Sequence, residues 1–334
     1  MNIYIFTETG RKIGLGHFTR CLALKQGFQE KYPNAVVKSI VSADKSIQAY
    51  VSAIDRDCIY MDWLHLGNKV SRIVADADLV IIDSYKAPLS FYECLYRISL
   101  QETCRIMVID DYNRLPYRAD IIVNPSLYGS DVKYKQKKGL KYLVGEKYVI
   151  LRKAFQQSSK KYIRKYPKNL LIVLGGTQVA NNVTILLSKI KGQFPDLDCH
   201  VVLPKVSKHE QGRLQRYAKK IYISLNDQEM YALMRRCDIA VSGGGQITYE
   251  LARLGVPFFS ILLARNQQLN IKGWKRKGFL NYSGRCNTPH MYQIVLSNIK
   301  KLFSYEQRQY FSLRGKKLID GKGVNRIVSY IMAR

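Results

Sequence analysis

Acidic residues are scarce in this chain. Its 334 residues include 25 Asp and Glu against 54 Lys and Arg, a formal net charge of +29. The deficit is uneven. Residues 1–150 hold 21 Lys and Arg against 16 Asp and Glu, while residues 151–334 hold 33 against 9. No acid lies between Glu250 and Glu306, a span that includes Arg253, Arg265, Lys272, Lys275, Arg276 and Lys277. A field of this sign attracts anions: nucleotide sugars, acidic lipid or nucleic acid. Other absences exclude more. No apolar run is long enough to span a bilayer. The N-terminus Met-Asn-Ile-Tyr-Ile-Phe lacks the basic region and cleavage site of a signal peptide and reads directly into a strand. The seven cysteines are scattered, odd in number and without Cys-x-x-Cys, which argues for a reducing cytoplasm and against a structural zinc site. There is no short-period repeat, zinc finger, RNA-recognition signature or basic helix with interleaved aromatics, so no nucleic-acid partner is expected.

What is present is a globular composition, 47% hydrophobic, at a length that suits two domains. Buried strands alternate with amphipathic helices, beginning at Asn2–Thr7, and the alternation restarts at Leu170–Leu174. The chain reads as α/β: two Rossmann-like, doubly wound domains facing a cleft. The expected division is 1–151 for the first domain and 152–168 for a basic linker without acids. Residues 169–304 form the second domain and 305–334 a C-terminal helical tail.

The most telling stretch is Cys237–Gln268. It reads as strand Ile239–Val241, three glycines, helix Gln246–Leu254, a Gly stop and strand Phe258–Ile261. Glycines at a strand-to-helix turn let an anion approach the backbone, and the helix behind offers unpaired N–H groups and its positive dipole end. Gly243, Gly244, Gly245 and Gln246 therefore suit a diphosphate. Glu250, one turn on, is placed to accept hydrogen bonds from ribose hydroxyls. A second loop, Gly10–Gly16, leads into a helix opened by His17. Gly14-Leu-Gly16 is not a dinucleotide fingerprint, since Thr19 stands where the third glycine belongs.

Ile13-Gly-Leu-Gly-His17-Phe-Thr-Arg20, Ile82-Asp-Ser-Tyr85, Ile109-Asp-Asp111, Leu174-Gly-Gly-Thr177 and Ser242-Gly-Gly-Gly…Glu250…Gly255-Val-Pro257…Asn266-Gln267 occur in that order. The set resembles the UDP-sugar hydrolase of pseudaminic acid biosynthesis and its spore-coat polysaccharide relatives. The resemblance implies the B-type glycosyltransferase (GT-B) fold. It also implies metal-independent hydrolysis of a UDP-linked 2,4-diacetamido-2,4,6-trideoxyhexose by water attack at the anomeric carbon. UDP belongs to substrate and product, and no separate cofactor or metal is implied.

On that resemblance His17 is the base, with Gly14 and Gly16 bringing the loop close to the ligand. Gly175 and Gly176 match a further glycine motif of the nucleotide-sugar site. Arg20, one turn after His17, either contacts phosphate or pairs with an Asp. Tyr85 is a sugar-binding candidate at a strand end. Asn266 and Gln267 either bind N-acetyl and hydroxyl groups or cap the next helix. Asp83, Asp110 and Asp111 at strand ends also suit turns and caps, and no metal is assigned to them. The alternative function is a glycosyltransferase that passes the sugar to an acceptor, with the basic second half resting on anionic membrane lipid. The expected location is cytoplasmic, peripheral at the inner membrane surface in the transferase case.

Overall fold

The computed structural model describes residues 1–10, 13–101, 103–157, 160–174, 180–204, 206–282 and 289–333. Gly175 and Gly176 lie outside these described residues. The chain divides into two compact units, Met1–Arg152 with Lys322–Arg334, and Lys153–Gly321.

In the first unit the order is β1 (Asn2–Thr9), α1 (Gly16–Lys31), β2 (Val36–Ala43), α2 (Lys45–Ile54), β3 (Ile59–Tyr60) and α3 (Val70–Ile73). Then follow β4 (Leu79–Asp83), α4 (Leu89–Gln101), β5 (Arg105–Ile109), β6 (Ile121–Asn124) and β7 (Lys141–Val144). The strands form one parallel sheet in the order β3-β2-β1-β4-β5-β6-β7. Helices cover both faces, so β1 is apolar at alternate positions on both sides. Ile3 and Ile5 pack with Cys21, Leu24 and Phe28 of α1. Tyr4 and Phe6 pack on the other face with Trp63, Phe91 and Tyr92. α3 ends at Ile73. The chain beyond it is captured by the start of β1: Tyr4 Oη donates to Asp76 and Asn2 N to Asp78, both at 2.6 Å.

In the second unit come α5 (Lys153–Gln156), β8 (Asn169–Val173), α6 (Ala180–Gln193), β9 (Asp198–Leu203), α7 (Lys208–Gln215), β10 (Lys220–Ile223) and α8 (Asp227–Arg236). They are followed by β11 (Ile239–Gly243), α9 (Ile247–Leu254), β12 (Phe258–Ile261), α10 (Gln268–Arg276), β13 (Asn281–Tyr282), α11 (Pro289–Lys301) and α12 (Tyr305–Leu318). The parallel sheet runs β10-β9-β8-β11-β12-β13. α7 and α8 begin with complete capping boxes, Ser207–Glu210 and Asn226–Glu229. Gly255 ends α9 in the left-handed conformation at φ 69°.

The expected tail at 305–334 is not one element. α12 stays with the second unit, fastened by Arg308, whose buried guanidinium donates to the carbonyls of Leu302 and Phe303 at 2.7 Å and of Arg164 at 2.6 Å. The last helix, α13 (Gly323–Met332), belongs to the first unit. Val324, Ile327, Val328 and Ile331 join the α1 side of its core. α1 accommodates this helix through Gly27, where a Cβ would come within 2.3 Å of Val324. The linker expected at 152–168 also starts differently, since Lys153–Gln156 is helical and Phe155 is fully buried.

Candidate active site

In each sheet the strand order reverses at one place, between β1 and β4 and between β8 and β11. Open α/β sheets bind ligands outside the carboxyl ends of the strands at such a reversal. His17 and Tyr85 lie at the first of these places, and Gly243, Gly244 and Gly245 at the second.

In the first unit, β1 runs into a turn closed by Gly14 N–H donating to Gly10 O at 2.7 Å and by Thr9 Oγ1 donating to Gly14 O at 2.9 Å. Gly14 sits at φ 81°, a conformation open to glycine at little cost. α1 then starts at Gly16 without a side-chain cap. His17, its second residue, is 5% exposed. Its Nδ1 lies 2.6 Å from Oδ1 of Asp83, the last residue of β4. An ionised carboxylate only accepts, so Nδ1 carries the hydrogen, and in the neutral ring Nε2 is then the acceptor.

Arg20 extends the arrangement across a third strand. Its Nε donates to Asp83 Oδ2 at 2.5 Å and Nη2 to Asp83 Oδ1 at 2.6 Å. Its Nη1 donates to both oxygens of Asp111, at 3.0 and 2.9 Å. Tyr85 Oη donates to Asp111 Oδ2 at 2.6 Å, and the Tyr85 ring stands edge-to-face against His17 with centroids 4.2 Å apart. Burial opposes ionisation of Asp83, but the Arg20 charge and then His17 outweigh it and hold the carboxyl well below the usual range. Burial and the Asp111 carboxylate push the Tyr85 phenol far up, so it remains a donor. The result is a tautomer-fixed imidazole oriented by a carboxylate, itself held by a bidentate arginine.

In the second unit the glycine turn follows β11. Gln267 Oε1 accepts from Gly244 N–H and from Leu263 N–H, both at 3.1 Å. Asn270 Nδ2 donates to Gly244 O at 2.8 Å and to Thr248 Oγ1 at 3.1 Å. Tyr249 Oη donates to Asn270 Oδ1 at 2.6 Å, and Trp274 Nε1 to Thr248 Oγ1 at 2.9 Å. Thr248 Oγ1 donates in turn to Gly245 O at 2.7 Å. The glycines are demanded by close approach. A Cβ on Gly244 would lie 2.5 Å from Ile271, and one on Gly243 2.8 Å from Leu263.

The structure sorts the expected site residues. It brings His17, Arg20 and Tyr85 together, with Gly14 and Gly16 in the turn before them. Arg20 takes the ion-pair alternative, since its donors are spent on Asp83 and Asp111. In the second unit Gly243, Gly244, Gly245 and Gln246 form the turn, and Gln246 is the residue that precedes α9. The Gly244 N–H, expected to grip a diphosphate, is used by Gln267. Gln267 thus braces the turn, while Asn266 is exposed on the short 3-10 turn Arg265–Gln267. Glu250, expected at a ribose, is 1% exposed. Asp110 serves its own loop, accepting from the Tyr112 and Arg114 amides. Among the described residues no group of three His, Cys, Asp or Glu is arranged to hold a metal ion. No helix among them is long and apolar enough to cross a membrane.

Sequence reading missed Asp83 as the partner of His17 and Asp111 as the anchor of Arg20 and Tyr85. The signal was available: Asp83 ends β4 and Asp111 stands just after β5, at the carboxyl ends of neighbouring strands beside the reversal. Asn270 and Trp274 gave no such signal, because spacing alone marks them only as one face of α10.

No family model matches the chain. It is 24% identical over 342 residues to the spore coat polysaccharide biosynthesis protein SpsG of Bacillus subtilis, covering 99% of this chain and 98% of that protein. It is 26% identical over 340 residues to a pseudaminic acid cytidylyltransferase and UDP-2,4-diacetamido-2,4,6-trideoxy-beta-L-altropyranose hydrolase of Helicobacter pylori. That match takes in 96% of this chain but 54% of the relative, so the chain spans about half the relative's length. Among solved structures, MurG of Acinetobacter baumannii superposes with a TM-score of 0.65 at 12% identity, over 100% of this chain and 99% of that one. The chain has the fold of the B-type glycosyltransferases and related epimerases.

Proposed function

We propose that this protein hydrolyses a UDP-linked diacetamido-trideoxy sugar in the making of a nonulosonic acid or surface polysaccharide. The His17–Asp83 pair at the strand-order reversal carries the reading. A water oxygen attacks the anomeric carbon, and His17 Nε2 takes the water proton. The bond from that carbon to the diphosphate oxygen breaks, and its electron pair leaves on UDP. Asp83 keeps the imidazole in the required tautomer and steadies the positive charge it acquires. The turn Gly243–Gln246 receives the diphosphate, which requires Gln267 to release the Gly244 amide. The likeness to the bifunctional H. pylori protein, whose name includes this hydrolase, supports the choice of sugar. The reaction written this way needs no metal ion, and full activity after exhaustive chelation is the expected outcome.

A glycosyltransferase is the second reading. The MurG likeness and the same His17 geometry favour it equally well at the base, since an acceptor hydroxyl can replace water. In that case the basic second half suits an acceptor held at an anionic lipid surface. Incubating the protein with UDP-sugars, with and without acceptors, decides between them. UDP release at the same rate in both conditions is expected. Release that depends on an added acceptor would overturn hydrolysis.

A further inference from the structure

Glu8 has work for only one of its two oxygens in this state. It is the penultimate residue of β1, 1% exposed, at the same reversal of strand order as His17. Its Oε1 accepts the backbone N–H of Tyr85 at 2.9 Å. Its Oε2 is buried and takes no hydrogen bond among the described residues. Strand alternation sets Glu8 on the face of Tyr4 and Phe6, while Thr7, paired with Asp83, looks toward α1. Glu8 and His17 thus meet Tyr85 from two sides: Glu8 at the backbone, His17 at the ring.

Holding the Tyr85 amide needs one acceptor, which a glutamine also supplies. A buried carboxylate oxygen without a donor is costly, so its retention asks for a donor brought from outside. A diphosphate cannot be that partner, because it offers no hydrogen at neutral pH and repels a carboxylate. We infer that Glu8 Oε2 accepts a hydrogen bond from an N–H or O–H of the sugar in the nucleotide-sugar substrate. This rests on the proposed function for its substrate class. An acetamido N–H is a donor of the required kind. Because Oε2 is all but closed off from solvent, ligand entry has to displace the side chains over it.

Glu8→Gln isolates the second oxygen. The amide oxygen keeps the Tyr85 N–H, which forces the NH2 group into the Oε2 position, where a donor now meets a donor. Binding is measured by calorimetry for UDP and for a UDP-linked diacetamido-trideoxyhexose, in a His17→Asn background so that the sugar nucleotide persists. UDP affinity should be the same with and without Glu8→Gln, within roughly twofold. Affinity for the sugar nucleotide should fall on the order of 10- to 100-fold, as for loss of a hydrogen bond to a charged group. Equal affinities for the sugar nucleotide would overturn the inference. So would loss of both ligands together with a lower melting temperature, which makes Glu8 a scaffold residue. If the protein with Glu8 intact binds neither UDP nor the sugar nucleotide, the functional reading falls and takes this inference with it. Should Glu8→Gln not fold, a structure of the substrate complex decides: no sugar donor within about 3.5 Å of Glu8 ends the proposal.

Discussion

The two reversal points are built from opposite materials. Around His17 the framework is ionic: Arg20 is held by Asp83 and Asp111, and Asp83 holds His17. Around the glycine turn it is neutral: Gln267, Asn270, Thr248, Tyr249 and Trp274 supply amide, hydroxyl and indole dipoles. On the proposed function each choice suits a different task. A group that gains a proton needs a nearby fixed charge to steady it, and two aspartates against one arginine leave one surplus negative charge. A turn that receives a diphosphate needs backbone amides in a fixed shape, and a charged brace would either repel the anion or compete for it. The first region should therefore break through loss of turnover, the second through loss of shape and affinity.

The largest effect is expected from His17→Asn. Turnover should fall by a factor on the order of 10² to 10⁴, the usual cost of removing a general base. The melting temperature and UDP affinity should stay near wild type, because the turn proposed to take the diphosphate belongs to the other unit. A folded variant with near-wild-type turnover would remove His17 from the chemistry.

Asp83→Asn tests whether the ionic frame acts beyond holding the fold. Loss of the carboxylate that fixes the Nδ1–H tautomer and steadies the charged imidazole should cost at least about 10² in turnover. Stability should also fall, by about 3–5 kcal/mol, because a buried partner of Arg20 has gone. The pH dependence has a definite sign. The folded-state pKa of Asp83 is depressed, so its stabilisation is present above the unfolded value of about 3.9 and is lost as pH falls through the folded value. The stability gap between wild type and variant should therefore narrow below about pH 4 in denaturant titrations. A gap independent of pH would show that the Asp83 charge contributes nothing.

Asn270→Ala probes the neutral frame. It removes the donor to Gly244 O and Thr248 and the acceptor Oδ1 used by the Tyr249 hydroxyl, at a cost of about 1–3 kcal/mol. UDP affinity should weaken along with the turn. Turnover at saturating substrate should change little, since the His17 frame is untouched. A loss of turnover as large as that of His17→Asn, with UDP affinity intact, would break the division of labour.

Much of the fold was legible because periodicity reports burial. Strand Phe258–Ile261 stands where the apolar pattern puts it, and the helix expected at Gln246–Leu254 starts one residue later. The glycine turn was legible for the same reason, as punctuation between a buried strand and a helix. The network around His17 was not, because it joins residues 66 and 91 positions apart. Only the strand order brings those partners together. α12 was expected only as part of a helical tail, because its buried face includes Arg308, whose partners include carbonyls of another segment. A pattern of apolar positions cannot announce a buried guanidinium. The same limit applies to Gln267 and Glu250, whose polar ends turn inward for reasons found only in three dimensions.

The smallest structural effect is expected from Gly16→Ala, and it sharpens the contrast between the two glycine-bearing loops. Gly244 is bare because Ile271 lies where its Cβ would go, so Gly244→Ala should cost about 1–3 kcal/mol through overpacking alone. Gly16 has nothing within 4 Å of the Cβ position, is exposed, and has no positive φ. It is also the first residue of α1, where alanine is the better helix former. Gly16→Ala should therefore leave stability unchanged or raise it by a few tenths of a kcal/mol, read as a melting temperature at or slightly above wild type. If the residue is bare because a ligand comes close to the backbone beside His17, the affinity for the sugar nucleotide should drop several-fold while that for UDP holds. A variant equal to wild type in both stability and substrate affinity would mean that glycine at this position serves neither the fold nor the ligand. The close approach at the turn before His17 would then be wrong, while the assignment of His17 itself would stand on its bond to Asp83.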